Sequence, residues 1–89
     1  IMSMNKYKIG DKVRIKSIEW YNQNKEEHGL IINDAEESNV FCSGMSPYCG
    51  RELTVKAIYP DGKYSLTDND GIGDGDLYTW SWEEWMFEE

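Results

Sequence analysis

Arg51-Glu52-Leu53-Thr54-Val55-Lys56-Ala57-Ile58-Tyr59-Pro60-Asp61-Gly62-Lys63-Tyr64-Ser65-Leu66-Thr67 is the stretch on which the fold turns. Polar and apolar side chains alternate over residues 51–59, with Leu53, Val55 and Ala57 opposite Thr54, Lys56 and Ile58, the period of a half-buried strand. Pro60 holds φ where a turn needs it and Gly62 accepts a positive φ, so Pro60-Asp61-Gly62 reads as a tight hairpin. Residues 63–67 then return as the partner strand.

Upstream, Lys12-Val13-Arg14-Ile15-Lys16-Ser17-Ile18 alternates in the same way, placing Val13, Ile15 and Ser17 on one face of a first strand that ends in Trp20 and Tyr21. Leu30-Ile31-Ile32 is a short apolar run, followed by an acidic loop over residues 33–39. Downstream, residues 68–76 are loop by composition. Leu77-Tyr78-Thr79-Trp80 re-enters a strand, on which Tyr78, Trp80 and Trp82 share a face. Ser81 and Glu84 stand at capping-box spacing, and Trp82, Trp85 and Met86 fall together on one helical face. The pattern predicts an all-β chain: a small SH3-like antiparallel barrel of about five strands with a terminal 3₁₀ or single helical turn. An OB-like barrel would want a helix where only Pro60-Asp61-Gly62 stand.

Eighty-nine residues predict one domain. Residues 1–6 read as an N-terminal extension, with Met4 a more natural start than Ile1, and residues 7–89 as a single SH3-like domain carrying an acidic insertion at 21–44. A content of 39% hydrophobic and 13% aromatic residues is too rich for a disordered acidic tail. No apolar run approaches the ~18 residues needed to cross a bilayer, and no signal-peptide stretch opens the chain, which predicts a cytoplasmic protein with no membrane partner.

Seventeen acids against nine bases leave a formal charge of −8, unevenly spread. Residues 1–16 hold Lys6, Lys8, Lys12, Arg14 and Lys16 against Asp11, whereas residues 61–89 hold nine acids against Lys63. Direct nucleic-acid binding is disfavoured, and a protein partner with a basic or Arg-rich surface is favoured.

The opening Tyr7-Lys8-Ile9-Gly10-Asp11-Lys12-Val13 resembles the start of many SH3-like domains, where Gly-Asp turns the chain into the first strand. Met45-Ser46-Pro47-Tyr48-Cys49-Gly50-Arg51-Glu52-Leu53-Thr54-Val55, Tyr64-Ser65-Leu66-Thr67-Asp68 and Trp80-Ser81-Trp82-Glu83-Glu84-Trp85-Met86 add to the likeness. Together they resemble small phage and prophage proteins related to the SH3-like repeat of the mind bomb and HERC2 ubiquitin ligases. In those proteins a Met-x-x-Tyr-x-Gly-Lys turn precedes a Thr-Val strand, and a Trp-rich segment with a Met ends the chain. The resemblance covers residues 7–20 and 45–87; the insertion over residues 21–44 departs from it. It implies a fold that binds peptide segments in the ligases, a bacterial host cell as the compartment, and no established activity for the phage proteins.

Signatures of catalysis are sparse. His28, the single histidine, stands beside Glu26 and Glu27 and completes no Cys-His or Ser-His-Asp set, and no phosphate-cradling glycine motif is present. Asp68, Asp70, Asp74 and Asp76 suggest a calcium loop, but an EF-hand begun at Asp68 would need an oxygen ligand where Ile72 stands and a glutamate where Thr79 stands. Cys42 and Cys49 fall short of a four-ligand zinc set and are expected as free thiols. No enzyme, metal or cofactor is expected.

The aromatic residues are the richest signal. Some must fill the core, and Trp20, Tyr48, Trp80 and Trp82 are the candidates from which one or two line a partner-binding groove. The first expectation is therefore a non-enzymatic SH3-like protein-binding module, phage or mobile-element encoded, monomeric or weakly dimeric, that occupies a partner surface. The alternative is an acidic nucleic-acid mimic that inhibits a bacterial defence nuclease, of the anti-CRISPR or anti-restriction type. In it Glu26, Glu27, Asp34, Glu36, Glu37, Asp70, Asp74 and Asp76 stand in for phosphates. A virion structural protein is the third.

Overall fold

The computed structural model describes residues 5–33, 40–68, 77 and 80–89. In order these form β1 (Lys12–Arg14), α1 (Ile18–Asn24), β2 (Ile31–Ile32), β3 (Val40–Phe41), a 3₁₀ turn (Ser43–Tyr48), β4 (Glu52–Ile58), β5 (Tyr64–Thr67) and a second 3₁₀ turn (Glu84–Met86). The strands make two antiparallel sheets, one ordered β1-β4-β5 and one pairing β2 with β3. The chain is thus predominantly β, with one short α-helix among the described residues.

The β4–β5 hairpin forms as the alternation predicts. Gly62 takes φ +91° and its N–H donates to the Tyr59 carbonyl at 2.8 Å, while the Tyr59 N–H donates to the Lys63 carbonyl at 2.8 Å. This is a turn with Pro60 and Asp61 at its centre and glycine supplying the left-handed residue.

One detail of the alternation is corrected. Val55 pairs with Leu66, but Ala57 pairs with Ser65 and Ile58 with Tyr64, so Lys56 is an extra residue on β4. A bulge inverts every side chain beyond it. Ile58 therefore joins the face of Leu53, Val55, Tyr64 and Leu66 and packs on the core, and Ala57 turns away from it.

The first strand is shorter than its alternation suggests. Ser17 does not continue β1: its side-chain oxygen accepts the Trp20 N–H at 3.0 Å and caps α1. A serine in extended backbone that satisfies a first-turn donor is a strong helix start, and Glu19 in that turn suits the positive end of the helix. Trp20 and Tyr21 thus lie on a helix, not at the end of a strand.

Two further expectations at the C-terminal end change. Leu77 accepts a turn hydrogen bond from the Trp80 N–H at 3.2 Å, in place of the strand expected there; Tyr78 and Thr79 lie outside the described residues. The last 3₁₀ turn is capped by Glu83, not Ser81, and the Glu83 N–H donates to the Met86 sulfur at 3.4 Å. Among the described residues the fifth strand is β3, inside the stretch 21–44 expected as an acidic insertion.

The C-terminal segment ties the larger sheet together. Trp82 exchanges main-chain hydrogen bonds with Tyr64 at 2.8 and 2.9 Å, on the edge of β5 that β4 does not use. Five residues on, Phe87 bridges Ile15; the Lys16 N–H donates to Met86 at 2.9 Å and the Glu88 N–H to Arg14 at 2.8 Å. One short stretch therefore contacts both outer strands of the sheet, and the core lies beneath it. Val13, Ile15, Tyr21, Ile31, Phe41, Met45, Leu53, Val55, Tyr64, Leu66, Leu77, Trp82, Met86 and Phe87 form that core. Among the described residues no helix is long and apolar enough to cross a membrane.

Candidate functional site

The aromatic candidates separate by burial. Trp82 is 0% exposed, placed by its pairing with Tyr64, and presents no ring face to a partner. Trp20, Tyr48 and Trp80 are half-buried, as is Trp85, which the sequence reading placed only on the terminal turn. The candidates are linked through buried rings. Trp20 packs edge-on against Phe41 at 5.1 Å between centroids, Phe41 against Trp82 at 6.1 Å, and Trp82 against Tyr48 at 6.1 Å. Trp85 lies 6.3 Å from Trp20 at an interplanar angle of 56°. Trp20 and Tyr48 are thus two ends of one ring chain whose middle members are core, which sets their positions without side-chain freedom.

Trp80 is held differently. It rests on Gly44 in the 3₁₀ turn Ser43–Tyr48, where a Cβ would stand 2.6 Å from its Cζ2. The Nε1 atoms of Trp80 and Trp82 are buried and donate no hydrogen bond to any described residue.

Cations already face two of these rings. The Lys16 ammonium sits 5.4 Å from the Trp20 centroid, and the Arg51 guanidinium 5.5 Å from that of Tyr48. Arg51 is also paired with Asp68 at 2.9 Å. The Trp85 indole N–H donates to the Glu83 carboxylate at 2.6 Å, and that carboxylate lies 4.0 Å from the Lys63 ammonium.

Of the acidic candidates, Glu26 and Glu27 lie in the turn between α1 and β2. Glu26 accepts the N–H groups of His28 at 2.6 Å and Leu30 at 3.0 Å, so its charge is committed to closing that turn. Glu27 is exposed and lies 3.3 Å from the equally exposed His28 imidazole. Asp34, Glu36, Glu37, Asp70, Asp74 and Asp76 lie outside the described residues.

Cys42 and Cys49 flank the 3₁₀ turn as free thiols. Burial pushes the Cys49 thiol above its ordinary pKa, away from the direction of an activated nucleophile. Tyr21 is likewise pushed up, first by burial and then by Cys42, Cys49 and Glu26, and its hydroxyl donates to the Gly29 carbonyl at 2.7 Å. Among the described residues no group of His, Cys, Asp and Glu could hold a metal ion.

The chain matches no protein family, no curated protein and no solved structure.

Proposed function

We propose that this chain is a non-enzymatic SH3-like protein-binding module, phage or mobile-element encoded, that occupies a basic or Arg-rich surface of a partner protein. The observation that carries the reading is the ring chain from Trp20 through Phe41 and Trp82 to Tyr48, buried in the middle and half-exposed at its ends. Rings fixed from beneath bind with little loss of side-chain freedom. The formal charge of −8 adds attraction for a cationic surface. The barrel reading draws support from the segment that reaches from Tyr64 on β5 to Ile15 beyond β1, as a sheet closing on itself requires.

The nucleic-acid mimic is the second reading. In its favour, residues 34–39 and 69–76 carry six acids and no base. Capture from bacterial lysate on the immobilised protein, eluted in a salt gradient, separates the two. A partner retained at high salt and lost with Trp20→Leu supports the aromatic surface. A nucleic-acid enzyme released at modest salt, and lost when Asp34, Glu36 and Glu37 become amides, supports the mimic and overturns the first reading.

A further inference from the structure

Two rings at this surface carry an internal cation, and the two cations are held in different ways. Arg51 is anchored at both ends of its reach, over Tyr48 at 5.5 Å and against Asp68 at 2.9 Å. Lys16 forms no ion pair with any described residue, and its ammonium lies over Trp20 at 5.4 Å. Its backbone is fixed, because its N–H donates to Met86 at 2.9 Å, but among the described residues the flexible side chain above is held by the ring alone. The Trp20 ring cannot follow it. Phe41 packs edge-on at 5.1 Å beneath, and Trp85, oriented by its 2.6 Å bond to Glu83, stands beside it.

We propose that the exposed face of Trp20, flanked by Trp85, is the seat for an arginine side chain of the partner protein, and that Lys16 fills that seat in the free protein. The inference rests on the binding-module reading and names the group it recognises. A cation within about 6 Å of an indole centroid is where ring electrostatics place one, so the position of Lys16 marks the site. A guanidinium is planar and less strongly hydrated than an ammonium, stacks on the indole face, and leaves its N–H fork free for further acceptors. Arginine therefore displaces lysine, while the reverse exchange gains nothing.

The test titrates the full chain with an oligo-arginine peptide and a length-matched oligo-lysine peptide, followed by calorimetry. Four proteins are compared: the wild type, Lys16→Met, Lys12→Met and Trp20→Leu. Lys12 is exposed on β1, so Lys12→Met makes the same charge change away from the ring. The expected result is tighter binding of oligo-arginine than of oligo-lysine. Lys16→Met should gain a further factor of about three that Lys12→Met does not show. Trp20→Leu, confirmed folded by its thermal transition, should lose the arginine preference. Equal gains from Lys16→Met and Lys12→Met overturn the seat while leaving a cation-binding surface in place. No binding of oligo-arginine by either the wild type or Lys16→Met overturns the binding-module reading with it.

Discussion

Trp80 lies against Gly44 so closely that a methyl group on residue 44 would stand 2.6 Å from the ring Cζ2 and 2.9 Å from Cη2. The ring is rigid, so either it or the 3₁₀ turn Ser43–Tyr48 must move to admit a side chain. Gly44→Ala should therefore cost about 1–3 kcal/mol in urea denaturation, the range for overpacking. In the double variant with Trp80→Leu most of that cost should vanish, giving a coupling energy well above the additive limit. Full additivity would place the cost in the backbone of the turn instead.

Ser17 is the start signal of α1, through the 3.0 Å bond from the Trp20 N–H to its hydroxyl. Ser17→Ala should lower stability by about 1 kcal/mol, and Ser17→Asp should restore most of it, since an aspartate also caps and suits the helix N-terminus. Because the helix carries Trp20, loss of the cap should also alter tryptophan fluorescence in the folded state. Equal stability of the alanine and aspartate variants would count against the cap.

Tyr64 titrates above an ordinary tyrosine, first because it is buried and then because its hydroxyl donates to the Glu84 carboxylate at 2.5 Å. Tyr21 is raised as well, again chiefly by burial. A raised folded-state pKa means that the unfolded chain releases its proton first as pH climbs. The stability contributed by both groups is then complete below the ordinary tyrosine pKa of about 10 and falls as pH rises from there through the folded pKa values. Denaturation midpoints measured across that alkaline range should decline, and Tyr64→Phe should flatten the decline. Glu84→Gln should flatten it less, because burial is the larger cause.

Glu84 also accepts the Lys6 N–H at 2.9 Å, and the Tyr7 N–H donates to the Tyr64 hydroxyl at 3.3 Å. The carboxylate thus joins the N-terminal arm to β5 and to the last 3₁₀ turn. Amide exchange of Lys6 and Tyr7 should accelerate in Glu84→Gln while exchange in β4 stays protected. Uniform acceleration throughout the sheet would show that the carboxylate supports the whole fold and not the arm alone.

Trp82 and Trp20 should respond in opposite ways to truncation. Trp82 is fully buried between Phe41 and Tyr48, so Trp82→Ala should cost about 3–5 kcal/mol, enough to unfold a domain of ordinary stability. Trp20→Leu keeps an apolar side chain on a half-buried helix position and should leave the thermal transition cooperative. Its effect should appear in binding. A Trp82→Ala protein with an unchanged transition would mean that the core assignment is wrong.

Much of this architecture was legible locally. The β4–β5 hairpin follows from alternation and from Pro60-Asp61-Gly62, and the Gly10-Asp11 turn into β1 is equally local: Gly10 takes φ +98° and Asp11 accepts the Lys8 N–H at 2.8 Å. The same alternation misled at Ser17, because a residue that fits the strand period also fits a helix cap, and only the hydroxyl's partner separates the two.

By itself the amino-acid sequence determined the β character, the hairpin and the pool of aromatics from which core and surface are drawn. Those properties depend on neighbours within a few residues, through φ preferences and side-chain period. The tertiary structure alone decided the bulge at Lys56, the pairing of β2 with β3, and which rings stay accessible. Trp82 is core because it meets the free edge of β5, and Trp20 is half-buried because its helix packs one ring edge on Phe41. Each outcome is set by hydrogen bonds and packing between segments far apart in the chain, and no local pattern encodes which edge such a segment will meet.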